Sequence, residues 1–164
     1  MNIELIVFDM AGTTINEQNV VYKTIHQTLS QHQINVTLEE VLELAGGKEK
    51  MNAIRDIIEK YDLNKAVEVN QIFDDFKQNL ISAYETLDII ACSGMLELIK
   101  FLRENNIKIA LNTGFDSYTA QLTLDKLNWK KGEHYDALTT ADDVLQSRPH
   151  PDMILKSMEL LHIT

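Results

Sequence analysis

Apolar positions along this chain change their spacing twice, and the changes divide it into three stretches. Leu5-Ile6-Val7-Phe8 is a continuous apolar run that predicts a buried strand ending at Asp9. From about residue 15 to 85 the spacing is helical. Val21, Ile25 and Leu29 recur every fourth residue within Val20 to Gln31, and Thr37-Leu-Glu-Glu40 has the form of a capping box opening a helix through Leu44. Ala45-Gly-Gly47 stops that helix. Ile54, Ile57 and Ile58 mark the next over Asn52 to Tyr61, and a fourth runs from Val67 to Tyr84 with Val69, Ile72, Phe73, Phe76, Leu80 and Ile81 at helical spacing.

After Tyr84 strands and helices alternate. Gly94 to Asn105 predicts a helix with Met95, Leu98, Ile99 and Leu102 inward, Ile107 to Asn112 a strand, and Ser117 to Leu127 a helix. A short strand is expected over Tyr135 to Ala141, and a last helix over Met153 to Leu161, capped by Asp152 after a loop bounded by Pro149 and Pro151. Strands alternating with helices predict a parallel sheet. The expected domains are an α/β core of residues 1–14 and 86–164 and an inserted helical cap of residues 15–85.

Composition narrows the function classes. A chain of 164 residues, 45% hydrophobic and 24% charged, has the profile of a soluble globular protein. Its formal charge of −10 opposes nucleic acid and anionic membrane surfaces as partners, yet a phosphorylated small molecule remains compatible wherever cations reverse the field locally. Cys92 is the sole cysteine, which excludes an internal disulfide and a cysteine zinc site. The apolar start is too short for a signal peptide and no run is long enough to span a bilayer, so the expected location is the cytoplasm.

A carboxylate ending a buried parallel strand lies where open α/β sheets bind ligands. Gly12 then breaks the run, and Thr13 and Thr14 add hydroxyls and backbone N–H groups. The string Asp9-Met-Ala-Gly-Thr-Thr14 resembles the first motif of the haloacid dehalogenase superfamily, and especially its phosphonatase-like branch. The resemblance implies a Rossmann-like parallel-sheet core, a helical cap, and Asp9 as the nucleophile that attacks phosphorus. It also implies Mg²⁺ held by Asp9 and the backbone carbonyl of Ala11, with Gly12 and Thr13 shaping the substrate loop. Many phosphatases of the superfamily carry a second aspartate at the place of Ala11, as the acid that protonates a leaving alkoxide. Phosphonatases carry alanine there, because their leaving group is carbon and a cap lysine forms an imine with the substrate aldehyde.

Gly47-Lys-Glu-Lys50-Met-Asn-Ala-Ile54-Arg55 resembles the phosphonatase cap loop, and anchoring on Gly47 makes Lys50 the reactive amine. Anchoring on Gly46 would place Glu49 there, and Lys48 is a second candidate amine. Ala53 stands where the best-known phosphonatases have a histidine, which points to a relative of phosphonoacetaldehyde as substrate. Ile109-Ala-Leu-Asn-Thr113-Gly114 resembles the second motif, in which the Thr113 hydroxyl and the N–H groups after it hold phosphoryl oxygens. Ser147-Arg148-Pro-His-Pro-Asp152 resembles the third, with Arg148 offsetting the charge of nucleophile and phosphate.

His150 reads as a loop side chain, Cys92 and Ser93 as turn or packing residues, Trp129 and Tyr135 as packing at the sheet edge, and Asp142 and Asp143 as helix caps. The family continues past its third motif into a strand with an acidic Gly-Asp motif, and His162-Ile-Thr164 does not match it. The expectation is therefore a core lacking its last strands, with Mg²⁺ held poorly and activity weak or lost. The activity implied is hydrolysis of a small phosphonate or phosphorylated metabolite through an aspartyl-phosphate. A phosphate-monoester phosphatase or phosphomutase, and an inactive phosphate-binding protein, stand as alternatives.

Overall fold

The structure, a computed structural model, describes residues 3–46, 48, 50–61, 69–146 and 148–163. It comprises two compact units, Met1–Gln18 with Leu87–Thr164, and Asn19–Thr86. The first contains the strands. Leu5–Asp9 (β1), Lys108–Asn112 (β4) and Ala137–Thr139 (β5) form a parallel sheet in the order β1-β4-β5. Ile15–Asn16 (β2) and Ile90–Ala91 (β3) make a small antiparallel pair that ties the stretch after β1 to the chain entering Met95–Glu104 (α5). Ser117–Lys126 (α6) and Asp152–Leu160 (α7) complete this unit.

The central strand β4 is apolar because it is covered by α5 and α7, and Ile109, Ala110 and Leu111 are fully buried. β1 differs from the buried strand its sequence predicts. It is an edge strand among the described residues, and all five of its positions are half-buried. The fifth strand is shorter than Tyr135 to Ala141; Ala141–Asp143 is instead a 3₁₀ turn whose start is closed by Thr140 and Asp143. Leu98 of α5 is 38% exposed rather than inward, and Met95, Ile99 and Leu102 carry the packing. Asp152 does not cap α7 but is its first residue, and Pro151 occupies the cap position. A carboxylate there still complements the positive end of the helix.

The second unit is four helices: Val20–Gln31 (α1), Leu38–Ala45 (α2), Lys50–Tyr61 (α3) and Val69–Thr86 (α4). The expected start of α4 at Val67 lies outside the described residues, as do Gly47 and Glu49 of the loop before α3. Ile25, Leu29, Val41, Ile54, Ile57, Ile58 and Ile72 are fully buried and form the core. Thr37 opens α2 with both halves of the capping box: its hydroxyl accepts from Glu40 N at 3.2 Å and its N–H donates to Glu40 Oε2 at 2.8 Å. Tyr61 O–H also donates to Glu40, and these bonds to the ionised form hold its carboxyl at a pKa of about 2. Among the described residues no helix is long and apolar enough to cross a membrane.

Candidate functional site

The sheet delivers Asp9 to the C-terminal end of β1, and the loop after it folds back at once. Met10 O accepts hydrogen bonds from Thr13 N (3.1 Å), Thr14 N (3.0 Å) and Ile15 N (3.0 Å). Gly12 makes this turn possible. Its φ of +76° is left-handed, and nothing lies within 4 Å of where a Cβ would stand, so conformation rather than space demands glycine. Gly12 N donates to Ile15 O at 2.8 Å, so the bridge across residue 11 runs through its two neighbours and not through the Ala11 carbonyl.

Among the described residues, two side chains meet the Asp9 carboxylate. Arg148 Nη1 donates to Oδ1 at 2.8 Å, and the Thr13 hydroxyl lies 3.3 Å from Oδ2. Arg148 is 139 residues further along the chain and enters from the loop before α7, where its peptide bond to Pro149 is cis. Its side chain is 49% exposed and that of Asp9 33%, so the pair contributes at most about 1 kcal/mol to stability. The contact therefore matters for the site's charge and geometry rather than for holding the fold together.

At the end of β4, Thr113 N donates to Thr139 O at 3.0 Å and Phe115 N donates to the Thr113 hydroxyl at 3.2 Å. Thr113 is thus 1% exposed and engaged in shaping its own turn. The next residue faces the site: a Cβ at Gly114 would stand 3.6 Å from Arg148 Nη2. Among the described residues the Gly114 N–H makes no hydrogen bond. The structure thus brings Asp9, Thr13, Gly114 and Arg148 together, with Gly12 and Thr113 as the residues that turn the backbone.

Lys50 belongs to the helical unit. It opens α3, donates from Nζ to Lys48 O at 2.9 Å, and places Nζ 5.0 Å from the centroid of the Tyr22 ring. Lys48 pairs with Asp56. Ala53 is fully buried in the helical core, so a histidine would not fit there without displacing packing.

The residues present fit a Mg²⁺ of the kind that keeps much of its water. Such an ion takes one or two carboxylates and completes its octahedron with water and substrate oxygens. Asp9 supplies a carboxylate and Ala11 a carbonyl that the turn leaves outside its bonding. Among the described residues no group of three or more His, Cys, Asp or Glu side chains is arranged to hold a metal.

Sequence reading gave no specific role to two residues that the structure places at the site. Thr14 is fully buried, and its hydroxyl lies 3.1 Å from Asp9 O and 3.3 Å from Met10 O, while its own carbonyl accepts from Cys92 N at 2.9 Å. The signal was a second hydroxyl directly after a loop threonine. Asn112 is paired with Asp9 across the sheet and is 7% exposed. It was legible as the polar side chain that ends the apolar run Ile109, Ala110 and Leu111.

A family model described as haloacid dehalogenase-like hydrolase matches residues 6–164. Among curated proteins, the pyrophosphatase PpaX of Bacillus mycoides (strain KBAB4) is 28% identical over 166 residues, covering 98% of this chain and 70% of its own length. Among solved structures, a putative haloacid dehalogenase-like hydrolase from Bacteroides fragilis superposes with a TM-score of 0.80 at 13% identity, over 99% of this chain and 75% of that one. CbbY from Rhodobacter sphaeroides, in complex with phosphate, gives 0.77 at 18% identity, over 99% and 74%. These structural likenesses speak for the fold. With the family model covering nearly all of it, the chain belongs to the haloacid dehalogenase-like hydrolases.

Proposed function

We propose that this protein hydrolyses a small phosphorylated or phosphonate metabolite by passing its phosphoryl group through Asp9. The observation that carries the reading is the Asp9 carboxylate at a strand end, with Arg148 Nη1 2.8 Å from one oxygen and a left-handed glycine turn beneath it. One Asp9 oxygen attacks phosphorus, the bond to the leaving group breaks with its electron pair, and water then cleaves the acyl phosphate to restore Asp9. Arg148 and the Gly114 N–H stabilise the equatorial oxygens as charge develops on them. Mg²⁺, held by Asp9 and Ala11, would supply further charge neutralisation between the two anions that must meet. The helical unit is read as the cap that selects the organic half of the substrate.

Ala11 limits the leaving group. An alkoxide needs a proton at departure, and alanine has none to give. The substrate is therefore one whose leaving group departs without it. A phosphonate bearing an aldehyde meets this condition when Lys50 forms an imine with the carbonyl, because the electron pair of the P–C bond then passes into the imine to give an enamine. This is the phosphonatase reading, supported by the Asp-Met-Ala-Gly-Thr-Thr string. A phosphoanhydride is the second reading, favoured by the likeness to proteins named pyrophosphatase: its leaving group is phosphate, stable as an anion.

Turnover of three substrates with Mg²⁺ separates these: an aldehyde phosphonate, inorganic pyrophosphate and a sugar phosphate. P–C cleavage that leaves Lys50 trapped by borohydride establishes the first reading, and pyrophosphate turnover indifferent to Lys50→Ala the second. A sugar phosphate turned over fastest, with neither of the others accepted, contradicts the argument from Ala11.

A further inference from the structure

We infer that Asn112 is a substrate-contacting residue whose side-chain amide donates to the phosphoryl group held at Asp9. The inference depends on the proposed phosphoryl chemistry and adds to it a ligand-binding group to which the three motifs assign no role.

Three observations converge on it. Asn112 is the register partner of Asp9 in the parallel pairing of β1 with β4, and paired residues of neighbouring strands project from the same face of a sheet. Thr139 of β5 is in turn the partner of Asn112, so Asp9, Asn112 and Thr139 form a polar row across the strand ends, one step beyond the apolar row Phe8, Leu111 and Leu138. The outer member of the row is satisfied within the protein: the Thr139 hydroxyl bonds Ser157 Oγ of α7 at 2.8 Å, and Ser157 Oγ donates to Met153 O at 3.0 Å. Asn112 is not. It is 7% exposed, among the described residues its carboxamide takes part in no hydrogen bond, and its polar atoms are not sealed from solvent, which leaves them open to a ligand.

The side chain is packed on most sides yet its amide keeps access to solvent, and strand ends that only need packing are filled by Val, Ile or Thr. The amide is also flanked by the groups an anion would use. Asp9 stands beside it on β1, while Gly114, two residues on, brings its unbonded N–H and Arg148 Nη2 to the same end of β4. A tetrahedral phosphoryl group bonded to Asp9 and facing Arg148 has a further oxygen to place, and the NH₂ of Asn112 is a neutral donor for it. Binding the phosphoryl group then satisfies both partners at once.

The test uses inorganic phosphate as the probe, with Mg²⁺, and compares the whole chain with Asn112→Asp and Asn112→Leu by calorimetry. Asn112→Asp keeps the shape and replaces the donor with an anion. It is expected to weaken phosphate binding at neutral pH by about tenfold or more, with partial recovery as the introduced carboxyl is protonated below about pH 5. Asn112→Leu removes the donor without adding charge and is expected to weaken phosphate binding less, with the thermal midpoint measured alongside to confirm that the fold is intact. Phosphate binding by both variants at wild-type strength would overturn the inference while leaving the Asp9 reading intact. Phosphate bound by neither wild type nor variants would overturn both.

Discussion

Asp9 and Lys50 are the two groups to which sequence resemblance assigns bond-making roles, and they are built in opposite ways. Asp9 meets Thr13 of its own loop and also residues distant in sequence: Asn112 beside it through the sheet register, and Arg148 brought 139 positions back to a 2.8 Å contact. Lys50 draws its described contacts from within the helical unit, its Nζ bonded to Lys48 O two residues away and set over the ring of Tyr22 on α1. The difference teaches what a fold has to do for chemistry. A phosphoryl group needs donors converging from several directions, which only strand ends and the loops between them supply. An amine that attacks a carbonyl needs one atom on a positioned helix.

The largest effect expected is loss of the Asp9 centre. Asp9→Asn should lower turnover of any accepted substrate by about 10⁴-fold or more while leaving the thermal midpoint nearly unchanged, since a nucleophile has no substitute. Arg148→Met comes next. It should cost about 10²–10³-fold in kcat/KM and less than about 1 kcal/mol in stability, because the ion pair it breaks is solvent-exposed. Chemical denaturation measured alongside kinetics distinguishes the site role from a folding role; equal losses in both would make Arg148 structural. Lys50→Ala sharpens the contrast from the other side. It should abolish cleavage of an aldehyde phosphonate and leave pyrophosphate turnover within about twofold, and a uniform loss across substrates would show that Lys50 acts through the structure of the helical unit.

Arg103 supplies a purely structural counterpart to Arg148. Its guanidinium bonds both oxygens of Asp136 at 2.7 Å, with the two side chains 26% and 13% exposed, and Asp136 Oδ2 also accepts from Ile109 N at 2.8 Å. Burial alone would raise the Asp136 pKa, but the bonds from Arg103 and Ile109 and the nearby positive charge outweigh it and hold the carboxyl below its ordinary range. Arg103→Met should therefore destabilise the α/β unit by about 3 kcal/mol in denaturant melts. Because the folded-state pKa is depressed, this stabilisation is present above the ordinary carboxylate value and lost as pH falls below it. A variant whose acid transition matches wild type would show that Asp136 does not contribute.

The smallest effect belongs to the helical unit. Glu40, with a folded pKa of about 2 against 4.5 for the unfolded group, stabilises the start of α2 fully above pH 4.5 and loses that contribution between pH 4.5 and 2. Tyr61→Phe should narrow this window by raising the Glu40 pKa, as read by carboxyl NMR titration. An unchanged titration would remove Tyr61 from the cause.

How much of this was legible in the sequence follows from the same contrast. The helices of the 19–86 unit were readable because capping and helical spacing are local: Thr37 and Glu40 are three residues apart, and Val20–Gln31 is the helix its spacing predicts. In the α/β unit the strand ends carrying Asp9 and Asn112 were readable, but not the position of β1 at the sheet edge, because a run of apolar residues does not state how many neighbours will cover it. Asp152 was misassigned because an aspartate after proline suits both a cap and a first turn, and the backbone at Pro151 decides between them. Asp9, Arg148 and Gly114 were legible as motif residues, whereas the burial of Thr14 and the position of Asn112 beside Asp9 were not. Their place is set by sheet register and by burial, and neither is written in residue type alone.

The central claim is that phosphorus becomes bonded to Asp9, and the most direct measurement is to trap it there. The protein is mixed with a turned-over substrate and Mg²⁺, quenched in acid, reduced with borohydride and digested, so that an acyl phosphate is read as a reduced side chain at one position. The account predicts reduction at Asp9, dependent on substrate and absent from Asp9→Asn. Turnover that proceeds with Asp9 unmodified, or with reduction at another carboxylate, would contradict it.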